Sequence, residues 1–270
     1  LREPRRRHVR ELGRDSVLEY AGEWLRHRAP MDRGVVAVNN QLGAIPRSRF
    51  LGQPADGDIT IENQTHQLIL TQEWTRTWRT RLGLSYRETS LDGYSSEAST
   101  LLASGELTRQ RRYRNYASDD LALQAELQGN MVTGAVRHEL LLGVEGYRFE
   151  MDTLALRATP TAARPYPIDI YNPVYGQPRP SPGPNTDTLE QQRNSAFYAQ
   201  DTIHLAPDWR LMAGVRVDNY RQSLLNRRTG SLTEQDPSAT SPRVGVSWLP
   251  SPGWTVYANA GKSFRPTRGS

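Results

Sequence analysis

The feature that most restricts this chain is an alternation of side-chain character with a period of two. Between Trp209 and Asp218, Trp209, Leu211, Ala213, Val215 and Val217 share one side of an extended chain, while Arg210, Met212, Gly214, Arg216 and Asp218 share the other. A helix would scatter the apolar set around its circumference; a strand gathers it on one face. The pattern recurs over 78–87, 121–128, 138–145, 243–248 and 254–261, and more weakly over 17–26, 65–74 and 195–205. About nine strands are predicted by this criterion, and no helix.

The connections alternate in length. Short turns are expected at 75–77, 130–134, 206–208 and 250–253, and long loops at 29–58, 90–104, 155–193 and 226–240, the latter rich in the Pro, Gly, Asn, Ser and Asp that favour irregular chain. This is the order of a transmembrane β-barrel, with tight turns at the periplasmic rim and long loops outside. The mean hydropathy of −0.69 does not argue against it, because strands that show only every second side chain to lipid have low mean hydropathy by construction. Periodicity does not say which face points inward, and a soluble sandwich or propeller has an apolar interior of the same period. Tryptophan placement favours the membrane. Trp74, Trp78, Trp209, Trp248 and Trp254, five of the six in the chain, flank the short turns, as an interfacial aromatic girdle would. Ordinary core tryptophans at hairpin ends are the alternative.

There is no cysteine, so disulfides, thiolate metal sites and cysteine nucleophiles are excluded. The net charge of +5 comes almost wholly from arginine, since Lys262 is the single lysine, but 29 acidic residues are interspersed and no basic helix appears. Nucleic acid is therefore not an expected partner. His8, His27, His66, His138 and His204 are scattered without HxxxH or HExxH spacing. Neither an enzyme nor a metal site is expected. Residues 1–15 match no pattern and are left unassigned; 16–270 are assigned to the barrel. The opening residues show no signal peptide, and the chain reads as beginning and ending within a longer protein.

Several segments resemble one family. Asn194-Ser195-Ala196-Phe197-Tyr198-Ala199-Gln200-Asp201, then Trp209-Arg210-Leu211 and Gly214-Val215-Arg216-Val217-Asp218, resemble the "YxQD … WRL..G.R.D" hairpin of TonB-dependent siderophore receptors. Ser241-Pro242-Arg243-Val244-Gly245-Val246 and Tyr257–Pro266 are similar to that family's "SPRxGxxY … YASYSxSFRP" strands. Gly134–Glu145 resembles its "TG..H.LL.G.D" turn and strand, Asp169–Gly176 its "D.xNPxYG" loop, and Arg33–Gly52 its "DRGxxA … LPxxRFLG" loop. The resemblance runs over about 16–266 and rests on the order and spacing of motifs that are individually weak.

It implies an all-β, antiparallel transmembrane barrel of about 22 strands, of which about nine would lie here, in the outer membrane. It also implies a plug domain outside this segment, energy from the TonB complex, and a ferric siderophore as cargo. Iron would enter already chelated, so no resident cofactor is expected. The cup for such a cargo needs aromatics and arginines on long loops. Arg47, Arg49, Tyr94, Tyr166, Tyr171, Tyr175 and Arg179 are the candidates, and the alternative is that Tyr171 and Tyr175 hold the loop's own fold. Arg79, Arg81, Arg210, Arg216 and Arg243, read as lying toward the periplasmic ends of their strands, are candidates for plug contact or for a solvated wall. Another cargo (cobalamin, haem, a saccharide), or a barrel enzyme or adhesin, are the competing readings.

Overall fold

The computed structural model describes residues 5–266. Ten strands follow one another in a single antiparallel sheet: β1 (Arg5–Glu11), β2 (Ser16–Ala29), β3 (Ile59–Glu73), β4 (Trp78–Leu101), β5 (Glu106–Thr133), β6 (Val136–Ala158), β8 (Gly183–Ala206), β9 (Trp209–Asn226), β11 (Ser238–Ser251) and β12 (Trp254–Gly261). Two short strands lie off this path: β7 (Pro167–Asp169) on β5, and β10 (Ser231–Gln235) on β9. Apart from the strands, the described residues hold one 3-10 turn, Pro54–Asp56. Strands β1 and β12 are the two edges, so the described wall is an open sheet. Strand β1 lies within the stretch left unassigned in the sequence and pairs with β2 from Arg5↔Glu23 to Glu11↔Val17; residues 1–4 of that stretch lie outside the described residues.

Connections at one rim are short throughout, at 12–15, 74–77, 134–135, 207–208 and 252–253. At the other rim the picture differs from expectation. The strands run far past the alternating segments: β4 has 24 residues and β5 has 28. The expected loop at 90–104 is a turn of 102–105 between continuous strands, and the expected loop at 155–193 shrinks to 159–182. The reason is environmental. Alternation marks only the part of a strand with lipid on one side; beyond it no lipid demands an apolar row, and polar side chains such as Ser96, Arg109 and Arg111 continue the outer face under the long loops.

The register assembles the rows that alternation implies. Leu70, Leu82, Ala125, Val144, Phe197 and Val217 are successive cross-strand neighbours on one face. Arg81, Glu126, Gly143, Tyr198, Arg216 and Ser241 are neighbours on the other. Leu82, Val144 and Phe197 are 44%, 52% and 48% exposed. A water-facing sheet would not leave so wide an apolar belt open, whereas a lipid-facing one requires it. On β4 the belt runs from Trp78 to Tyr86, close to the roughly 9–11 residues a tilted strand needs to cross the hydrocarbon.

Trp74, Trp78, Trp209, Trp248 and Trp254 all sit at the short-turn rim. Trp209 and Trp248 are directly paired, with rings stacked at 5.8 Å. The Trp78 ring lies over Gly129 on β5, where an added Cβ would come within 2.2 Å of it. The Trp74 indole N–H donates to Thr80 Oγ1 at 2.7 Å.

The dry core lies at the long-loop rim instead of in the wall. Ile45, Leu51, Leu107, Ile168 and Ile170 are buried together, with Val35, Val36, Val38, Ala98 and Leu101 against them. They bring the loops 30–58 and 159–182 onto the tip of the β4–β5 hairpin.

In the intact protein, Leu82→Arg should cost about 2–4 kcal/mol of folding stability in a bilayer. It should reduce the heat-modifiable, folded fraction seen on electrophoresis of membranes. Ser85→Arg, three residues on and on the polar face, should change neither.

Candidate functional site

The middle of the polar face carries an ion-paired floor. Arg216 donates from Nη1 to Glu145 at 3.0 Å and from Nη2 to Asp218 at 2.9 Å, and its guanidinium lies 5.6 Å from the Tyr198 ring centre. The Tyr198 hydroxyl donates to Glu126 and accepts from Gln124, each at 2.8 Å. The Tyr198 ring lies flat on β6 where Gly143 offers no side chain; a Cβ there would meet it at 2.2 Å. With Arg243, whose side chain lies over Gly214, these residues line a concavity of about 700 Å³.

Arg216 and Arg243 are therefore mid-strand, which corrects their expected position near the periplasmic ends. Arg79, Arg81 and Arg210 do lie near the short-turn rim, and Arg79 Nε donates to Gln128 at 2.9 Å. The two histidines nearest that rim are paired on opposite faces. His138 Nδ1 meets Asp201 at 2.7 Å among the apolar rows, and His204 Nε2 meets Glu139 at 3.0 Å on the polar face. Among the described residues no group of three or more His, Asp or Glu side chains could hold a metal ion.

The long-loop candidates are mostly engaged with one another. Tyr166 is 8% exposed, its hydroxyl 3.0 Å from Ser96 Oγ and its ring under Arg109 at 4.3 Å. The Tyr175 hydroxyl donates to the Phe50 carbonyl at 2.7 Å. Tyr171 packs its ring beside Gly105 and donates its N–H to Asp169. Arg179 donates to the Ala55 carbonyl and lies 3.8 Å from Asp56. Arg47 is exposed and Arg49 partly buried in the loop 30–58. Tyr94 is not a loop residue: it stands on β4, 4.7 Å from the Tyr113 ring, with Arg111 over it at 4.3 Å.

Two features of this rim were not anticipated. The first is Arg109, fully buried and without a carboxylate in hydrogen-bonding contact. It donates to the Gly52 carbonyl at 2.6 Å and to Gln177 at 3.1 Å. Arg111, the next residue on its face, binds Asp56 at 2.7 Å. These two arginines tie both long loops to β5.

The second is a basic group on the opposite face of the same hairpin, the face that continues the lumen rows. Arg112 on β5 is directly opposite Arg157 on β6. Arg114 contacts Glu97 at 2.6 Å, while Arg33 and Arg112 approach Glu97 at 3.6 and 3.7 Å. Burial pushes the Glu97 carboxyl up, but hydrogen bonds from Ser95 and Arg114, with the charges of Arg114 and Arg33, hold it below the usual carboxylate range. Alternation through Arg109–Arg114 would have sorted the arginines onto these two faces, had the segment been recognised as strand.

An exposed apolar belt, a polar inner face, a tryptophan rim and long loops packed at the far end define the wall of an outer-membrane barrel. The family described as "TonB dependent receptor-like, beta-barrel" matches residues 5–270, and the chain belongs to it. Over 269 residues the chain is 42% identical to the metal-pseudopaline receptor CntO of Pseudomonas aeruginosa, covering 96% of this chain and 38% of that protein. It is 28% identical over 201 residues to the ferrioxamine B receptor of Salmonella typhimurium, covering 70% of this chain and 26% of that one. Among solved structures, the ferric-catecholate import receptor Fiu of Escherichia coli K12 in its open form aligns with a TM-score of 0.78 at 18% identity, over 96% of this chain and 46% of that chain. The siderophore receptor PiuA of Acinetobacter baumannii gives 0.77 at 15% identity, over 91% of this chain and 39% of that one. The chain thus spans less than half the length of each of these relatives.

Because the folded-state pKa of Glu97 lies below its unfolded value, the ionised group stabilises the rim at neutral pH. That contribution is lost as pH falls below about 4.3 and through the lowered value. The urea midpoint of the intact protein should decline over that window. Glu97→Gln should lower the midpoint at pH 7 and flatten the decline. Separately, Arg109→Met leaves the Gly52 carbonyl unpaired in a dry site. It should cost about 1–3 kcal/mol and make loops 30–58 and 159–182 cleavable by added protease on whole cells.

Proposed function

We propose that this chain forms part of the barrel wall of a receptor that imports a metal bound to a small organic chelator, ferric siderophores among them. The observation that carries the reading is the 42% identity to a metal-pseudopaline receptor along nearly the whole chain. More distant similarity to a ferrioxamine B receptor points the same way. The geometry is compatible with such a cargo. The long-loop rim is a packed cap on extended hairpins, a rigid support for a wide cup. The metal would be cargo, held by its chelator, and would need no protein ligands.

In this reading a plug domain rests against the polar face, and TonB supplies the energy that moves it. Arg79, Arg81, Arg210, Arg216 and Arg243 lie on that face. Arg216, already satisfied by two carboxylates, offers the plug a fixed surface, whereas Arg81 and Arg210 are the freer side chains for contacts that must break during transport. The ligand roles of Tyr94, Tyr166, Tyr171, Tyr175 and Arg179 are, in this reading, indirect: they hold the cap that presents other groups. Arg47, on the exposed stretch of the first loop, retains a direct role.

A second cargo reading has support in the name of that same relative, which specifies a metal and not iron. Deleting the intact gene and measuring uptake of radiolabelled iron, nickel, cobalt and zinc, each supplied with chelators made by the same bacterium, tests both. Loss of uptake of at least one metal, reproduced by deleting the TonB gene, is the expected outcome. Unchanged uptake of every metal chelate, with growth lost instead on a saccharide or cobalamin, would refute the reading.

A further inference from the structure

Building on the chelate-receptor reading, we propose that Arg112 and Arg157 form an anion-recognition subsite in the cup, and that the cargo is a net-negative chelate presenting carboxylates. The two arginines are direct cross-strand neighbours on the lumen-continuing face, an arrangement that like charges ordinarily destabilise. Arg114 stands two residues along the same face of β5, and Arg33 reaches in from the first long loop. Three guanidinium groups, those of Arg33, Arg112 and Arg114, thus gather around one carboxylate, Glu97, whose Oε1 Arg114 and Ser95 already occupy at 2.6 and 2.8 Å, and Arg157 stands beside Arg112. Arg112 Nε stands 3.7 Å from Glu97, too far for a hydrogen bond. Arg112 Nε and Arg157 Nε are both buried with no hydrogen-bond partner among the described residues.

Other arginines of this wall show the contrast. Arg87 meets Asp120 at 2.7 Å, Arg111 meets Asp56 at 2.7 Å, Arg216 meets Glu145 and Asp218, and Arg227 meets Asp152 and Asp187. Arg112, by comparison, has its nearest carboxylate oxygen at 3.7 Å, and the Arg157 Nε has no hydrogen-bond partner among the described residues. Burial holds the Arg112 guanidinium below its ordinary range; Glu97 opposes this, and Arg157, Arg114 and Arg33 add to the lowering. Like charges held side by side are costly, and an anion placed between the two guanidinium groups relieves the repulsion. The planar fork of arginine fits a carboxylate through two parallel N–H···O bonds. A lipid phosphate is not the occupant, because the cluster lies on the lumen side of the hairpin.

The test uses the full-length receptor purified in detergent, titrated by intrinsic tryptophan fluorescence. The probes are the ferric complexes of citrate, nitrilotriacetate and ethylenediaminetetraacetate, with cationic ferrioxamine B as the contrast. At least one carboxylate complex should bind, more weakly as salt rises. The Arg112→Gln/Arg157→Gln protein should bind it at least about tenfold less tightly, and Arg112→Lys/Arg157→Lys should recover part of the loss. Heat-modifiable mobility must show all three proteins folded. Equal binding by the natural and glutamine proteins overturns the subsite, as does binding of ferrioxamine B alone. If the uptake experiment finds a neutral or cationic chelate as cargo, the carboxylate assignment fails while the receptor reading stands. If no metal uptake is lost but the arginines still govern carboxylate binding, the receptor reading fails and the subsite stands.

Discussion

Every backbone N–H and C=O in the hydrocarbon must find a partner within the wall, because lipid offers none. The rest of this structure follows from that demand. It forces an unbroken antiparallel ladder through the apolar belt, and the register bears this out. Of the four irregularities among the long strand pairs, those at His204/Ala206 and Trp248/Ser251 lie within three residues of a short turn. Those at Ala98/Thr100 and Ala155/Leu156 lie in the half of the sheet beyond the belt. Disorder in the ladder is tolerated only where water can reach it.

The same demand, relaxed, explains the far rim. Above the belt β5 outlasts β6, whose pairing with it stops at Arg111↔Ala158. Strand β7, lent by the loop 159–182, takes over that edge at Leu107↔Ile168. Strand β10 does the same for β9, pairing Gln222–Asn226 where β11 no longer reaches. Covering exposed edges in this way removes a template for unwanted pairing. It also anchors the loops, and the apolar face above the lipid is buried under Ile45, Leu51, Ile168 and Ile170. The result is a rim that behaves as a packed domain, with the polar face left clear.

That division of labour bears on function. If the chain serves the receptor proposed above, its cup must bind cargo on a surface that does not collapse in its absence. Here Tyr166, Tyr175, Arg179 and the β5 residues Arg109 and Arg111 hold the cap, and Arg112, Arg114 and Arg157 stand on the opposite, lumen-continuing face. Rigidity of this kind lowers the ordering cost of binding. It also concentrates positive charge where field lines are confined by a low-dielectric wall.

Alternation in Trp209–Asp218 and its counterparts was legible in the sequence because lipid imposes it. It determined the strand type, the two-faced wall, the short-turn rim and the tryptophan girdle. The motif order from Arg33 to Pro266 pointed to the family. The long continuations of β4 and β5, with β7 and β10, were not legible, since no lipid lies beside them to impose an apolar row, and the strand at Arg5–Glu11 was not legible because its residues carry no apolar alternation. Nor were the partners of Tyr166, Tyr175 and Arg179, which lie some 70 to 125 residues away along the chain. Whether Arg112 meets an acid or another arginine is set by the register between β5 and β6 and by the reach of a distant loop. Only the assembled sheet decides it, because cross-strand proximity is a property of pairing and not of any one segment.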